Sequence, residues 1–202
     1  MTDKIIDIFS ERRAEMMGDF KKNAVMIFLM EENGELAVIF EVRAKHLRHQ
    51  PGDICLPGGK IEAGELPIDT ACRESMEELC IKRDTFRVIG EMDYLITPYN
   101  FVIYPFISTI NPQIINPNPD EVERILKVPL KFFLEQEPDL HEVEIIQNPK
   151  EDFPYSLINR GKDYKWRKGV FPEYFYIYEE NVIWGFTALI MKRFTDIIKA
   201  SE

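Results

Sequence analysis

Glu74, Glu77 and Glu78 stand at i, i+3 and i+4, a spacing that gathers three carboxylates on one face of a helix. Like charges so placed cost a few tenths of a kcal/mol each. A fold accepts that cost most readily to hold a cation, and hard carboxylate oxygens suit Mg²⁺ or Mn²⁺. The alternative is an acidic, solvated helix face, which composition alone often produces. The surroundings favour the first reading. Pro57-Gly58-Gly59 precedes the triplet, and two adjacent glycines let backbone approach a metal or phosphate closely. Arg73 adjoins the carboxylates and can orient one of them by a bidentate contact. A cation held there would supply hydroxide from water.

The elements that must position these residues read as mixed α and β. Pro67 to Leu79 is the carboxylate helix, with proline suited to its first turn. Its residues Ile68, Cys72, Ser75 and Leu79 form one stripe. Asn23 to Val42 holds two β-rich runs around Asn33-Gly34, a strong hairpin signal. Residues 43–64 read as loop. Phe86 to Asp93 and Phe101 to Ile110 read as strands, and the proline-rich stretch from Pro98 to Pro138 as strand ends and loops. Short helices fit Asp120 to Leu126 and Leu130 to Glu135. Phe171 to Tyr178 is a further strand. A last helix begins near Asn181, a good cap, and puts Ile183, Thr187, Ile190, Phe194 and Ile197 on one face. Ile5, Ile6, Phe9 and Met16 suggest an amphipathic helix over residues 3–17. The expected organisation is an N-terminal helix in residues 1–20 and one domain over 21–202.

Composition narrows the function. The 202 residues, 45% hydrophobic and 30% charged, suit a globular domain with a sizeable core. Acidic residues outnumber basic ones, 35 to 25, for a formal charge of −10. The basic residues are scattered, so a nucleic acid is not the expected partner, whereas a small phosphorylated molecule is. No 18-residue apolar run or signal-peptide core occurs, so no membrane is expected. Cys55, Cys72 and Cys80 form no CxxC pair, and Ala200-Ser201-Glu202 does not read as a peroxisomal or retention address. The expectation is a reduced, cytoplasmic protein.

Gly59, five residues, Glu65, seven residues, then Arg73-Glu74-x-x-Glu77-Glu78 resembles the Nudix box, the signature of hydrolases acting on nucleoside diphosphates linked to another group. Two positions depart from it. Ser75 stands where an apolar residue is expected, and Cys80 where a glycine is. Cys80 enters the left-handed conformation at a penalty of about 1 kcal/mol, or the helix runs one residue further. The resemblance implies an α/β/α sandwich with a mixed sheet and a loop–helix–loop catalytic motif. It also implies that Glu74, Glu77 and Glu78 ligate Mg²⁺ or Mn²⁺, that Gly59 contributes its carbonyl, and that Glu65 and Arg73 support them.

Upstream, Ile39-Phe40-Glu41-Val42-Arg43-Ala44, three residues, Arg48, three residues, Gly52, three residues and Leu56-Pro57-Gly58-Gly59 is similar to the motif of coenzyme A pyrophosphatases within that superfamily, with Glu41 where the motif has Thr. Arg43 and Arg48, with Gly58 and Gly59, form a credible phosphate clamp; the alternative for both arginines is surface charge. His46 and His49 read as solvent-facing. Asn118-Pro119-Asp120-Glu121-Val122 and Val182-Ile183-Trp184-Gly185-Phe186-Thr187-Ala188 resemble later segments of the same family. Glu121 is a candidate general base, or else an acidic residue meeting the dipole of a helix first turn. The aromatics from Phe153 to Tyr178 read as core or as a lining for adenine or pantetheine.

The implied reaction is metal-dependent hydrolysis of the diphosphate of coenzyme A or an acyl derivative, giving 3′-phospho-AMP and 4′-phosphopantetheine or its acyl form. Hydrolysis of ADP-ribose or a dinucleotide, and nucleotide binding without hydrolysis, are the alternatives. An apolar face on the first helix would suit a homodimer.

Overall fold

The computed structural model describes residues 1–111 and 115–201. Part of the proline-rich stretch and Glu202, the last residue of the C-terminal tripeptide, lie outside the described residues. Helix α1 (Thr2–Ser10) is shorter than expected, leaves Met16 beyond its end, and buries none of its side chains.

Asn33 and Gly34 have φ of 54° and 83° and close a two-residue turn. Positive φ at both positions is what a type I′ turn requires, and Asn-Gly adopts it at little cost. The turn joins β1 (Lys21–Glu32) to β2 (Glu35–Arg43), with Glu32 opposite Glu35. Residues expected as loop contain two short strands, β3 (Ile54–Cys55) on β2 and β4 (Gly58–Lys60) on β1. Helix α2 (Pro67–Leu79) has the expected bounds. It is followed by β5 (Phe86–Glu91), β6 (Leu95–Ile96) and β7 (Phe101–Ile110). A bulge between Val88 and Gly90 interrupts β5, which stops two residues before Asp93.

Residues 120–126 are not a helix. Val122 to Pro129 form a strand, β8, antiparallel to β2, with Val42 opposite Arg124 and Val38 opposite Val128. Val122, Leu126 and Val128 are buried. The edge that β2 offers overrides the local helical spacing. Helix α3 (Leu130–Glu135) follows as expected, then β9 (Asp139–Ile145) and β10 (Gly169–Tyr178). Asn181 is not a helix cap. It opens β11 (Asn181–Trp184), paired with β10, and helix α4 (Gly185–Lys199) starts four residues later. The Asn181 side chain is buried, donating to the Tyr178 carbonyl and accepting from Arg124. Along α4 the buried residues are Ala188, Ile190, Met191, Phe194 and Thr195, so the face is rotated from the expected one and Ile197 is partly exposed.

The main sheet runs β3-β2-β1-β7-β5, with β4 on β1, β6 on β7 and β8 on β2. Strands β1 and β7 are parallel, and every other described pairing is antiparallel. The period of two sorts side chains to opposite faces. Ala24, Met26, Phe28 and Met30 of β1, with Ile39 of β2, pack on Ala71, Cys72 and Leu79 of α2. Ile27, Leu29, Val38, Phe40 and Val42 pack on Phe133 of α3, on Met191 and Phe194 of α4, and on Tyr176 and Ile183 of the small β11-β10-β9 sheet. This is an α/β/α sandwich around a mixed sheet. Among the described residues no helix is long and apolar enough to cross a membrane.

Cys80 ends α2 with φ 51° and ψ 41°, the left-handed conformation that glycine adopts without a Cβ penalty. The helix does not run on past it. Its side chain is exposed, so Cys80→Gly should stabilise the fold by about 1 kcal/mol or somewhat less. Thermal unfolding should show a Tm higher by about 2–4 °C. An unchanged or lower Tm would mean that the αL residue carries no strain.

Candidate metal centre

Helix α2 lies across the sheet face on which β1 and β4 meet, and Glu74 and Glu78 reach β4. Gly58 donates its amide to Glu78 Oε2 at 2.8 Å. The approach is close because Gly58 has no side chain: a Cβ there would stand 2.2 Å from the Ala24 carbonyl oxygen. At Gly59 a Cβ would stand 2.5 Å from the Glu74 carboxyl carbon. Gly58 thus lets β4 pack against β1, and Gly59 leaves room for the Glu74 carboxylate.

Arg73 fans across the helix start. Its Nε and Nη2 donate to Glu65 Oε1 and Oε2 at 2.9 and 3.0 Å. Nη1 donates to Glu74 Oε1 at 2.8 Å and to Glu77 Oε2 at 3.3 Å. The bidentate contact goes to Glu65, not to the triplet. Thr70, which spacing did not flag, donates its hydroxyl to Glu65 Oε2 at 2.6 Å. Arg73 and Thr70 together hold the Glu65 carboxyl down to about 2, against an ordinary 4.5.

The triplet divides by burial. Glu77 is exposed, Glu74 is partly buried, and Glu78 is 5% exposed. Burial pushes the Glu74 carboxyl up, opposed by Arg73. It pushes Glu78 up further, helped by the charges of Glu41, Glu74 and Glu121 and opposed by the Gly58 amide. Glu41 of β2 is itself 1% exposed. Strand parity explains its place: Ile39 and Glu41 share the face turned to α2, while Val38, Phe40 and Val42 face α4. Burial raises its carboxyl too. The sequence shows Glu41 only as a departure from a motif; its parity with Ile39 is the signal that places it at the site.

Glu121 lies in the turn before β8. Its carbonyl accepts from Ala44 N at 2.9 Å and its amide donates to Asn118 O at 3.1 Å. Asn118 in turn donates its amide to the Glu78 carbonyl at 2.8 Å, joining this turn to the end of α2. The Glu121 charge acts on Glu41, Glu74 and Glu78. With no helix here, the dipole reading of Glu121 falls away. Arg43 closes the same end of the site, with its charge acting on Glu41 and its Nε donating to the His49 carbonyl at 3.3 Å. Arg48 is exposed, and no described residue pairs with it. His46 Nε2 contacts the Asp120 carbonyl at 3.1 Å.

As the side chains stand, no three of the described acidic, Cys or His groups converge on one point. Glu74 is turned to Arg73 and Glu78 to Gly58. The donor set nevertheless fits a hard divalent ion. The carboxylates are crowded and partly desolvated, and Glu41 Oε2 is a buried oxygen to which no described residue donates.

The NUDIX domain family model matches residues 20–148. Nudix hydrolase 22, chloroplastic, of Arabidopsis thaliana is 28% identical over 94% of this chain and 59% of its own length. A peroxisomal coenzyme A diphosphatase of Mus musculus is 30% identical over 56% of this chain and 49% of its own length. The chain thus spans about half to three fifths of the length of these curated relatives. A MutT/nudix family protein from Enterococcus faecalis shares the fold, with a TM-score of 0.55 at 12% identity, over 98% of this chain and 70% of its own.

The two glycines should respond differently to alanine. Gly58→Ala drives a Cβ into strand backbone and should cost about 1–3 kcal/mol. Gly59→Ala meets only the end of a flexible side chain, so stability should stay within about 1 kcal/mol while Glu74 is displaced. Equal Tm losses in the two variants would contradict this geometry. Glu65 gives a pH test. Its folded-state carboxyl lies below the ordinary 4.5, so its stabilising effect is complete above that value and is lost as pH falls toward about 2. Glu65→Gln should therefore show a flatter acid limb than wild type when unfolding is followed between those pH values.

Proposed function

Because the chain belongs to the Nudix hydrolase family, we propose that it hydrolyses the diphosphate of coenzyme A or an acyl-coenzyme A, with Mg²⁺ or Mn²⁺ as cofactor. The products are 3′-phospho-AMP and 4′-phosphopantetheine or its acyl form. The observation that carries this reading is the meeting of two sequence motifs in one site. Strand β2, which bears Arg43, shares a core cluster with helix α2 through Ile39, Ala71, Cys72 and Leu79, and Glu41 feels both Arg43 and Glu78. The coenzyme A diphosphatase relative supports the substrate class.

Each residue has a definite task in this reading. Glu74, Glu77 and Glu78, with the Gly59 carbonyl, would hold the cation, which would supply charge neutralisation at the diphosphate and a more acidic attacking water. Gly58 keeps Glu78 oriented through its amide, and the Glu65–Arg73 pair fixes Glu74 and Glu77. Glu121 takes the proton from the attacking water. Arg43 binds the substrate phosphates from the end of β2, and Arg48, free in the loop that follows, folds onto them when substrate arrives.

Two cavities lie near these segments, and only the first carries a cluster of lysines that suits an anionic group. One of about 820 Å³ is bordered by Lys21, Lys22 and Lys60 and reaches Glu65. Another of about 500 Å³ adjoins Gly52 and Asp53 and is lined by Phe175 and Trp184, whose rings stack at 5.9 Å. We place the reaction in the cytoplasm, a reading supported by three free cysteines.

Purified protein incubated with Mg²⁺ or Mn²⁺ and with coenzyme A, ADP-ribose or NADH should release phosphopantetheine fastest, identified by mass spectrometry. Faster release of AMP from ADP-ribose or NADH would discard the coenzyme A assignment and keep the metal chemistry. Glu78→Gln should lower kcat at least about a hundredfold, the scale seen when one charge-stabilising group is removed. Near-normal turnover with an intact fold would remove Glu78 from the metal set.

A further inference from the structure

We infer that Glu41 is a further carboxylate ligand of the bound divalent cation, supplied from the sheet rather than from the helix. The inference rests on the metal-site reading above. Three observations carry it. First, Glu41 is 1% exposed at a strand position whose neighbours on that face, Ile39 and the β1 residues, are apolar core. A carboxylate is seldom kept in such a place without a charge partner.

Second, its two oxygens are used unequally. Oε1 accepts from the Cys55 thiol at 3.2 Å, whereas Oε2 is buried and no described residue donates to it. Third, the groups facing it carry mostly the wrong sign. Glu78 of α2 stands across from it, and the charge of Glu121, from the turn before β8, also acts on it. Arg43 is the one facing group of opposite sign among those acting on Glu41, but no ion pair joins them among the described residues, and its Nε is turned to the His49 carbonyl. Carboxylates from three separate elements thus act on one another beside an oxygen that accepts no hydrogen bond; as they stand they do not converge on one point, and a hard cation would draw them together.

The position gives the inference a specific form. The helix carboxylates reach the site from one side, with Glu77 exposed to solvent. Glu41 is buried within the sheet, so a cation that it helps to hold would sit deeper than one held by the helix face alone. Its Cys55 contact occupies Oε1 and leaves Oε2 without a donor among the described residues. Threonine at this position offers a hydroxyl instead of an anion.

The test is Mn²⁺ binding, followed by the electron paramagnetic resonance signal of the free ion, on wild type, Glu41→Gln, Glu41→Thr and Glu78→Gln. Circular dichroism checks that each folds. Gln keeps an amide that can donate to Glu78 but lacks the anion, and Thr restores the small hydroxyl, so the proposal remains testable should one variant fail to fold. The dissociation constant should rise at least about tenfold in both Glu41 variants, one lost charge-assisted contact. The Tm gain on adding Mn²⁺ should shrink in parallel. Water-proton relaxation should show one more water on the bound ion in each variant.

Two outcomes overturn the inference while the metal site stands. One is wild-type affinity in both Glu41 variants with weakened binding in Glu78→Gln, which would make Glu41 and Glu78 a proton-sharing pair. The other is weakened binding with an unchanged water number, which assigns the effect to the field of the charge. Absence of Mn²⁺ binding by wild type would overturn the site reading itself, and this inference with it.

Discussion

The 2.8 Å hydrogen bond from the Gly58 amide to the Glu78 carboxylate is possible only because β4 approaches β1 with no side chain between them. That approach sets the depth at which α2 lies on the sheet. Ala71, Cys72 and Leu79 seat the helix on alternate residues of β1, and full burial of a leucine alone contributes roughly 1.5–3 kcal/mol. With the apolar stripe so fixed, the neighbouring faces of the helix cannot choose their surroundings. Glu78 is carried into the interior, Glu74 to its edge, and Glu77 into solvent.

Electrostatics divides the acidic residues into two groups. Glu65 has Arg73 on both oxygens and a threonine hydroxyl besides, and it stays ionised. Glu41 and Glu78 are buried against each other, and both are pushed up. The first group acts as scaffold: one arginine ties the loop before α2 to the outer carboxylates. In the second, burial and the nearness of two carboxylates favour the protonated form, so the fold avoids holding both charges at once.

Several elements depart from local spacing for one shared reason. Residues 120–126 read as a short helix, but from Val122 the chain completes the sheet along β2. Asn181 has a good capping side chain but spends it on Arg124 and the Tyr178 carbonyl, since β10 needs a partner. Cys80 takes a left-handed conformation that glycine would adopt more easily, because the chain must turn there to bring Ile81 and Phe86 into the core on the α2 side. In each case a sheet edge or a packing face outweighs a propensity of about 1 kcal/mol or less.

The sequence by itself determined the short-range features. The Asn33-Gly34 turn, the bounds of α2, the glycine pair before it and the grouping of Glu74, Glu77 and Glu78 all follow from residues within a few positions of one another. Such features depend on backbone φ and on helical or strand period, which local residue types control. Tertiary structure alone decided how the pieces meet. It gave Glu65 rather than the triplet the bidentate arginine, and it brought the Glu121 turn to the end of α2 through Asn118. It also turned Glu41, a strand residue, into a buried carboxylate facing Glu78. These contacts join residues far apart in the chain. Their geometry depends on sheet order and on which face of each strand the core selects, and both are set by burial of the whole domain rather than by any one segment.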